Sequence, residues 1–113
     1  MPIVQLSQAQ QQTLSAPQDV GLPLSSPPSR IATHDAEPDA GVETGVWECT
    51  PGRWRRQIKN AEFCHFIQGR CRFIADSGEV FHIQAGDALY FPAHSEGIWE
   101  VDETVRKTYC LLP

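Results

Sequence analysis

With 113 residues the chain has room for one domain, and no apolar run approaches the roughly 18 residues of a membrane-spanning helix. The formal charge of −5 is unevenly spread: Asp19, Asp35, Glu37, Asp39 and Glu43 stand against Arg30 alone in the first 45 residues, and the remainder is nearly balanced. That balance lacks the basic face of a nucleic-acid-binding domain, so neither nucleic acid nor membrane is expected as a partner.

Residues 1–40 are rich in Gln, Ser, Pro, Ala and Asp and show no sustained helical or strand period. Such a stretch buries too little apolar surface to offset the entropy of ordering, so residues 1–25 read as a flexible arm and 26–40 as an extended segment lying along a single domain of residues 41–113. The short apolar run Val20-Gly-Leu-Pro-Leu24 reads as a patch that docks on a neighbour. The start, MPIVQLSQAQQQ, lacks the basic and continuous apolar regions of a secretory signal, which predicts a reducing cytoplasm. Cys49, Cys64, Cys71 and Cys110 form no CxxC pair and are expected as free thiols, mostly buried and inert.

From Val42 onward short runs of β-branched and aromatic residues alternate with turn signals at Thr50-Pro-Gly52, Asp76-Ser-Gly-Glu79, Ala85-Gly-Asp87 and Pro92-Ala-His-Ser-Glu-Gly97. The spacing predicts strands over 42–49, 53–58, 62–68, 71–75, 79–84, 88–91, 97–102 and 105–112, an all-β sandwich or barrel. Gly69 and Gly86 are placed to take the positive φ of hairpin turns. Asp87 is placed to bond nearby amides, and Pro92 to end a strand.

Two stretches, Glu62-Phe-Cys-His-Phe-Ile-Gln-Gly69 and Gly86-Asp-Ala-Leu-Tyr-Phe-Pro92 running on to Gly97, resemble the two halves of a cupin, a jelly-roll barrel (double-stranded β-helix). Val46-Trp-Glu-Cys-Thr-Pro-Gly-Arg-Trp54, Gly97-Ile-Trp-Glu-Val101 and Arg106-Lys-Thr-Tyr109 extend the resemblance to the small cupins related to ureidoglycine aminohydrolase. Metal-binding members carry a His-x-His pair before the glutamate and a further histidine after the proline. The resemblance maps those positions to Arg55, Gln57 and Gly97, leaving Glu62 alone of the four ligands. It implies a degenerate metal site with no cofactor expected. Were a divalent metal held, Gln57, Glu62 and a swung-in His94 are the candidate donors, opposed by the fixed charge of Arg55.

If Glu62 points inward, alternation puts Cys64 and Phe66 on the same face and Phe63, His65 and Ile67 outside. The resemblance implies that Gly97, Trp99 and Val101 line the opposite wall, and alternation puts Lys107 and Tyr109 on one face. A carboxylate that has lost its metal needs another cation, which predicts an ion pair or triad of Glu62 with Arg55 or Lys107. The expected ligand-binding set is Arg55, Gln57, Glu62, Cys64, Tyr90, Trp99 and Lys107. Any catalysis falls to Glu62, Lys107 and Tyr109, and the expected ligand is a small polar molecule. Trp47 and Trp54 read as packing residues, and Arg53-Trp-Arg-Arg56 as surface charge. The outward Phe63 and Ile67 need a cover, for which a homodimer is expected. Two functional classes stay open: a small-molecule-binding protein or enzyme, the latter a hydrolase or isomerase of a nitrogenous metabolite, and a noncatalytic dimeric module.

Overall fold

Alternation of buried and exposed side chains along each run builds two antiparallel sheets that share their longest strands. The computed structural model describes residues 3–37 and 41–113, so the expected domain boundary at residue 40 lies outside the described residues. The strands are β1 (Gln18–Asp19), β2 (Arg30–Ala36), β3 (Glu43–Cys49), β4 (Gly52–Ile58), β5 (Glu62–Ala75), β6 (Val80–Gln84), β7 (Ala88–Phe91) and β8 (Ser95–Leu111). One sheet runs β1-β2-β3-β8-β5-β7, using Val105–Leu111 of β8 and Glu62–Phe66 of β5. The other runs β4-β8-β5-β6, using the opposite ends of the same two strands. The all-β jelly roll read from the sequence is the observed fold.

Two expected breaks are not breaks. Gly69 has a φ of 85°, yet it sits inside β5 rather than at a hairpin. Register against β8 shifts around it, between Phe66 and Gln68 and again up to Cys71. The strand thereby bends from one sheet into the other, as a β-bulge does. A Cβ at Gly69 would lie 2.1 Å from the Thr104 carbonyl oxygen, so the close crossing of β5 and β8 requires glycine. The expected gap at residues 103–104 is likewise absent, and β8 continues across the corner. Asp87 does hold its turn, accepting from the Gln84 amide at 2.9 Å.

The core is aromatic. Phe73 meets Trp99 and Phe91 edge-on at 4.8 and 5.1 Å, and Phe66, Trp47 and Trp54 complete the cluster. Cys49, Cys64 and Cys71 are buried within it, and burial pushes their thiols up to about 11, about 11 and about 12.

Much of the segment read as a flexible arm instead makes specific contacts. The Ser15 amide donates to Thr33, Val20 is buried in the core, and the Leu24 amide donates to Arg53 while the Arg55 amide donates to Leu22. The apolar run at 20–24 therefore docks on β4 of its own chain. Arg106 fastens the earlier turn, Ala9–Gln11, by donating to the Ala9 and Gln12 carbonyls at 2.9 and 3.1 Å. Backbone pairing and one buried valine supply the order that composition alone did not predict.

Candidate functional site

The long strands stack inward side chains in levels. Leu111 lies between Glu43 and Glu62, Tyr109 between Gly45 and Cys64, and Lys107 between Trp47 and Phe66. Facing them are Trp99 of β8 and Arg56 and Ile58 of β4, with Ile31 and Thr33 of β2 closing the side. These residues line an open cavity of about 250 Å³.

At its floor Lys107 Nζ donates to Glu62 Oε2 at 2.6 Å. The two side chains are only 7% and 6% exposed, so this pair is shielded from solvent. The ammonium also lies 4.5 Å from the Trp47 ring centroid and 5.5 Å from that of Trp99, within cation–π range. Beside it the Tyr109 hydroxyl donates to Asp35 Oδ1 at 2.6 Å. Burial first, and then that bond, hold the Tyr109 phenol above its ordinary range. Gly45 permits the arrangement, since a Cβ there would stand 2.9 Å from the Tyr109 hydroxyl and 2.0 Å from the His34 carbonyl oxygen.

Of the residues expected at the site, Glu62, Trp99, Lys107 and Tyr109 meet in this cavity. Cys64 points inward as alternation requires but is buried away from the cavity wall, its thiol 3.7 Å from the Leu89 carbonyl. Arg55 and Gln57 are corrected: they face outward. Arg55 forks onto both carboxylate oxygens of Asp76 at 2.9 and 2.7 Å, outside the barrel, so the ion pair of Glu62 is with Lys107 alone. The Arg55 guanidinium also holds the Asp76 carboxyl below the usual carboxylate range. Tyr90 is corrected as well, being 57% exposed and paired across strands with Phe63.

The physical reason is parity. On β4 the buried side chains are Trp54 and Ile58, which puts Arg56, not its neighbours, on the inner face. Sequence reasoning missed Arg56, although Trp54 and Ile58 at even spacing carried the signal. On β7 the buried side chain is Phe91, which turns Tyr90 out. Asp35 and Glu43 were also missed, having been read only as charges of the N-terminal segment.

The donor set does not fit a divalent metal. The inward positions preceding Glu62 are Arg56 and Ile58, neither of which can ligate. Gly97 has no room for a side chain, because a Cβ there would lie 2.4 Å from the Ile74 carbonyl oxygen and 2.6 Å from the Phe73 ring. Gln57 and His94 do approach one another, with Lys59 and Glu96, but in a separate outer groove away from Glu62. His94 takes a φ of 64°, which fixes it as a turn residue. Among the described residues no three His, Cys, Asp or Glu side chains are grouped to hold a metal ion.

Comparison with known proteins agrees with this architecture. The sequence model of the EutQ-like cupin domain matches residues 36–109. No curated protein matches at a significant level. A DUF861-family protein of unknown function from Pseudomonas syringae superposes with a TM-score of 0.73 at 25% identity, covering 88% of this chain. This chain spans only 43% of that protein's length. The EutQ protein of Clostridium difficile gives a TM-score of 0.68 at 21% identity over 80% of this chain and 75% of its own. A DUF861-family protein from Thermotoga maritima gives 0.58 at 28% identity over 59% of this chain and 76% of its own.

Proposed function

Because this chain belongs to the EutQ-like cupin family, we propose that it binds a small polar metabolite in the barrel cavity, with an ion pair standing where metal-binding cupins hold their ion. The observation that carries the reading is the Glu62–Lys107 pair at 2.6 Å on the floor of an open cavity. Desolvating two charges costs several kcal/mol per ion, roughly, and apolar residues of similar volume would serve the core as well. A pair kept beside a cavity with aromatic walls is placed for a ligand rather than for packing.

An enzymatic variant of this reading, in line with the resemblance to ureidoglycine aminohydrolase, makes the protein a hydrolase or isomerase of a small nitrogenous metabolite. Glu62, Lys107 and Tyr109 are then its proton-transfer groups. It is supported by the convergence of a carboxylate, an amine and a phenol on one cavity. The exposed cross-strand pair Phe63 and Tyr90, 49% and 57% exposed, supports a homodimer built on that outer face.

Trp47 and Trp99 line the cavity, so a ligand should alter tryptophan emission. Wild-type protein and the double variant Glu62→Gln, Lys107→Met are compared against a panel of small amino, amido and ureido compounds. A saturable response in the wild type that the double variant lacks supports the reading. Equal responses in both proteins, or none in the wild type, would overturn it.

A further inference from the structure

On the side away from the cavity the sandwich is open. The first sheet ends at β7, which pairs with β5 and with no other strand among the described residues. The second sheet continues past that edge: Phe81 of β6 is the cross-strand neighbour of Phe73 and shares its inward face, yet Phe73 is 2% exposed and Phe81 37%. Between the β7 edge and this overhang runs a groove of about 510 Å³, whose apolar lining includes Phe73, Phe81, Leu89 and Phe91.

The backbone of that edge is incomplete as well. The Phe66 amide donates to the Asp87 carbonyl and the Phe66 carbonyl accepts from the Gly86 amide, both at 2.8 Å, which sets the phase of the β5–β7 ladder. Bonded pairs recur at every second residue of an antiparallel ladder. The amides and carbonyls of Leu89 and Phe91 therefore turn toward β5, and those of Ala88 and Tyr90 turn away. Neither Ala88 nor Tyr90 has a backbone partner on that outer side among the described residues. Ala88–Phe91 also carries no charge, no proline and no bulge, the devices that keep an exposed edge from pairing. Alternate outward amides and carbonyls at this spacing match another antiparallel strand.

We infer that this strand is β7 of a second copy, paired about a two-fold axis at Leu89 so that one sheet runs through both copies. This rests on the homodimer reading and adds the strand that joins the copies and its register. Setting Ala88 against the partner's Tyr90, and Tyr90 against the partner's Ala88, uses every outward amide and carbonyl of the edge. The neighbouring symmetric registers oppose Ala88 to Pro92, which has no amide, or Tyr90 to Gly86, whose amide is held by Phe66. Side chains agree with the same register. Tyr90, 57% exposed beside its cross-strand neighbour Phe63, comes to lie against the small side chain of the partner's Ala88. On the inner face the two Leu89 side chains meet at the axis and close the grooves under Phe81. An edge that is complementary to itself in backbone and side chains selects a second copy as its occupant.

The test is the mass of the full chain in solution, by light scattering, together with amide hydrogen exchange. Wild type should have twice the monomer mass. In that dimer the Ala88 and Tyr90 amides should exchange slowly, and they should speed up on dilution to monomer, where both face solvent. Ala88→Pro removes two of the four hydrogen bonds across the axis and none to β5, at the first position of a strand, where proline is tolerated. It should weaken association by about tenfold or more. Tyr90→Lys, which puts a charge on the edge, should weaken it too. Leu24→Ser, exposed beside β4, should leave it unchanged. A wild-type monomer would overturn this inference together with the homodimer reading. A dimer whose Ala88 and Tyr90 amides exchange fast, a measurement that needs no variant to fold, would overturn the β7 pairing and leave a dimer built on another surface. A dimer that Ala88→Pro does not weaken would do the same.

Discussion

Replacing Glu62 by Gln keeps the outline of the side chain and removes the carboxylate to which Lys107 donates. Both side chains are more than nine-tenths buried, so solvent screening does little to soften the loss, and breaking such a pair costs roughly 3 to 5 kcal/mol. The stranded ammonium keeps its place over Trp47 at 4.5 Å, an attraction worth about 2 kcal/mol when desolvated, which favours the lower end of that range. A chain of 113 residues has a total stability of ~6–17 kcal/mol, so a loss near 3 is a large fraction. With a urea m-value of roughly 1–3 kcal/mol/M the midpoint should fall by about 1 M or more. Adding Lys107→Met should recover much of the loss, because the cavity floor then holds no uncompensated charge. Urea denaturation followed by tryptophan emission, at one fixed protein concentration, reads both variants. A cost for Glu62→Gln within about 0.5 kcal/mol would refute the buried pair.

Deleting residues 1–25 removes Val20 from the core and the bonds of Leu22 and Leu24 to β4. Loss of the valine alone should cost about 1.5–3 kcal/mol, visible as a lower melting temperature, and an unchanged melt would contradict the docked arm. Gly97→Ala forces a Cβ against the Ile74 carbonyl and the Phe73 ring and should destabilise by roughly 1–3 kcal/mol; a neutral result in urea would show that this end of the barrel yields easily. In native protein at pH 8 a thiol-reactive disulfide should label Cys110 fastest, since burial raises the thiols of Cys49, Cys64 and Cys71, and rapid labelling of all four would oppose that. Because those three folded values lie above the ordinary thiol value of 9.0, their contribution to stability is fully present below pH 9 and lost as pH rises from 9 toward 11 to 12. Urea midpoints should therefore fall over that interval, less steeply once the three are replaced by Ala.

The barrel was legible because its strands alternate cleanly and its turns carry Gly, Pro and Asp. That Glu62, Cys64 and Phe66 share one face, and Gly97, Trp99 and Val101 another, follows from period two, while the family resemblance supplied which face is inward. The pairing of Glu62 with a cation was legible from the cost of a buried lone carboxylate. What failed was register on β4. Mapping the His-x-His positions of metal-binding cupins onto this chain placed Arg55 and Gln57 inside, whereas Trp54 and Ile58 decide the parity by burial and bring in Arg56. A one-residue slip reverses every side chain of a strand, so the apolar pair on the strand itself was the better guide. Gly69 misled because a positive φ serves a bulge as well as a hairpin, and only the crossing of β5 over β8 distinguishes them. The order of the N-terminal segment was illegible because it comes from pairing with β3 and β4, not from its own composition.

Whether the cavity binds a ligand without a metal ion is read most directly from one titration. Tryptophan emission should be titrated with the panel of small amino, amido and ureido compounds before and after exhaustive chelation of untagged protein. The predicted result is a saturable one-to-one change, the same in both preparations. Binding that vanishes on chelation and returns with added manganese would contradict the replacement of a metal centre by the Glu62–Lys107 pair.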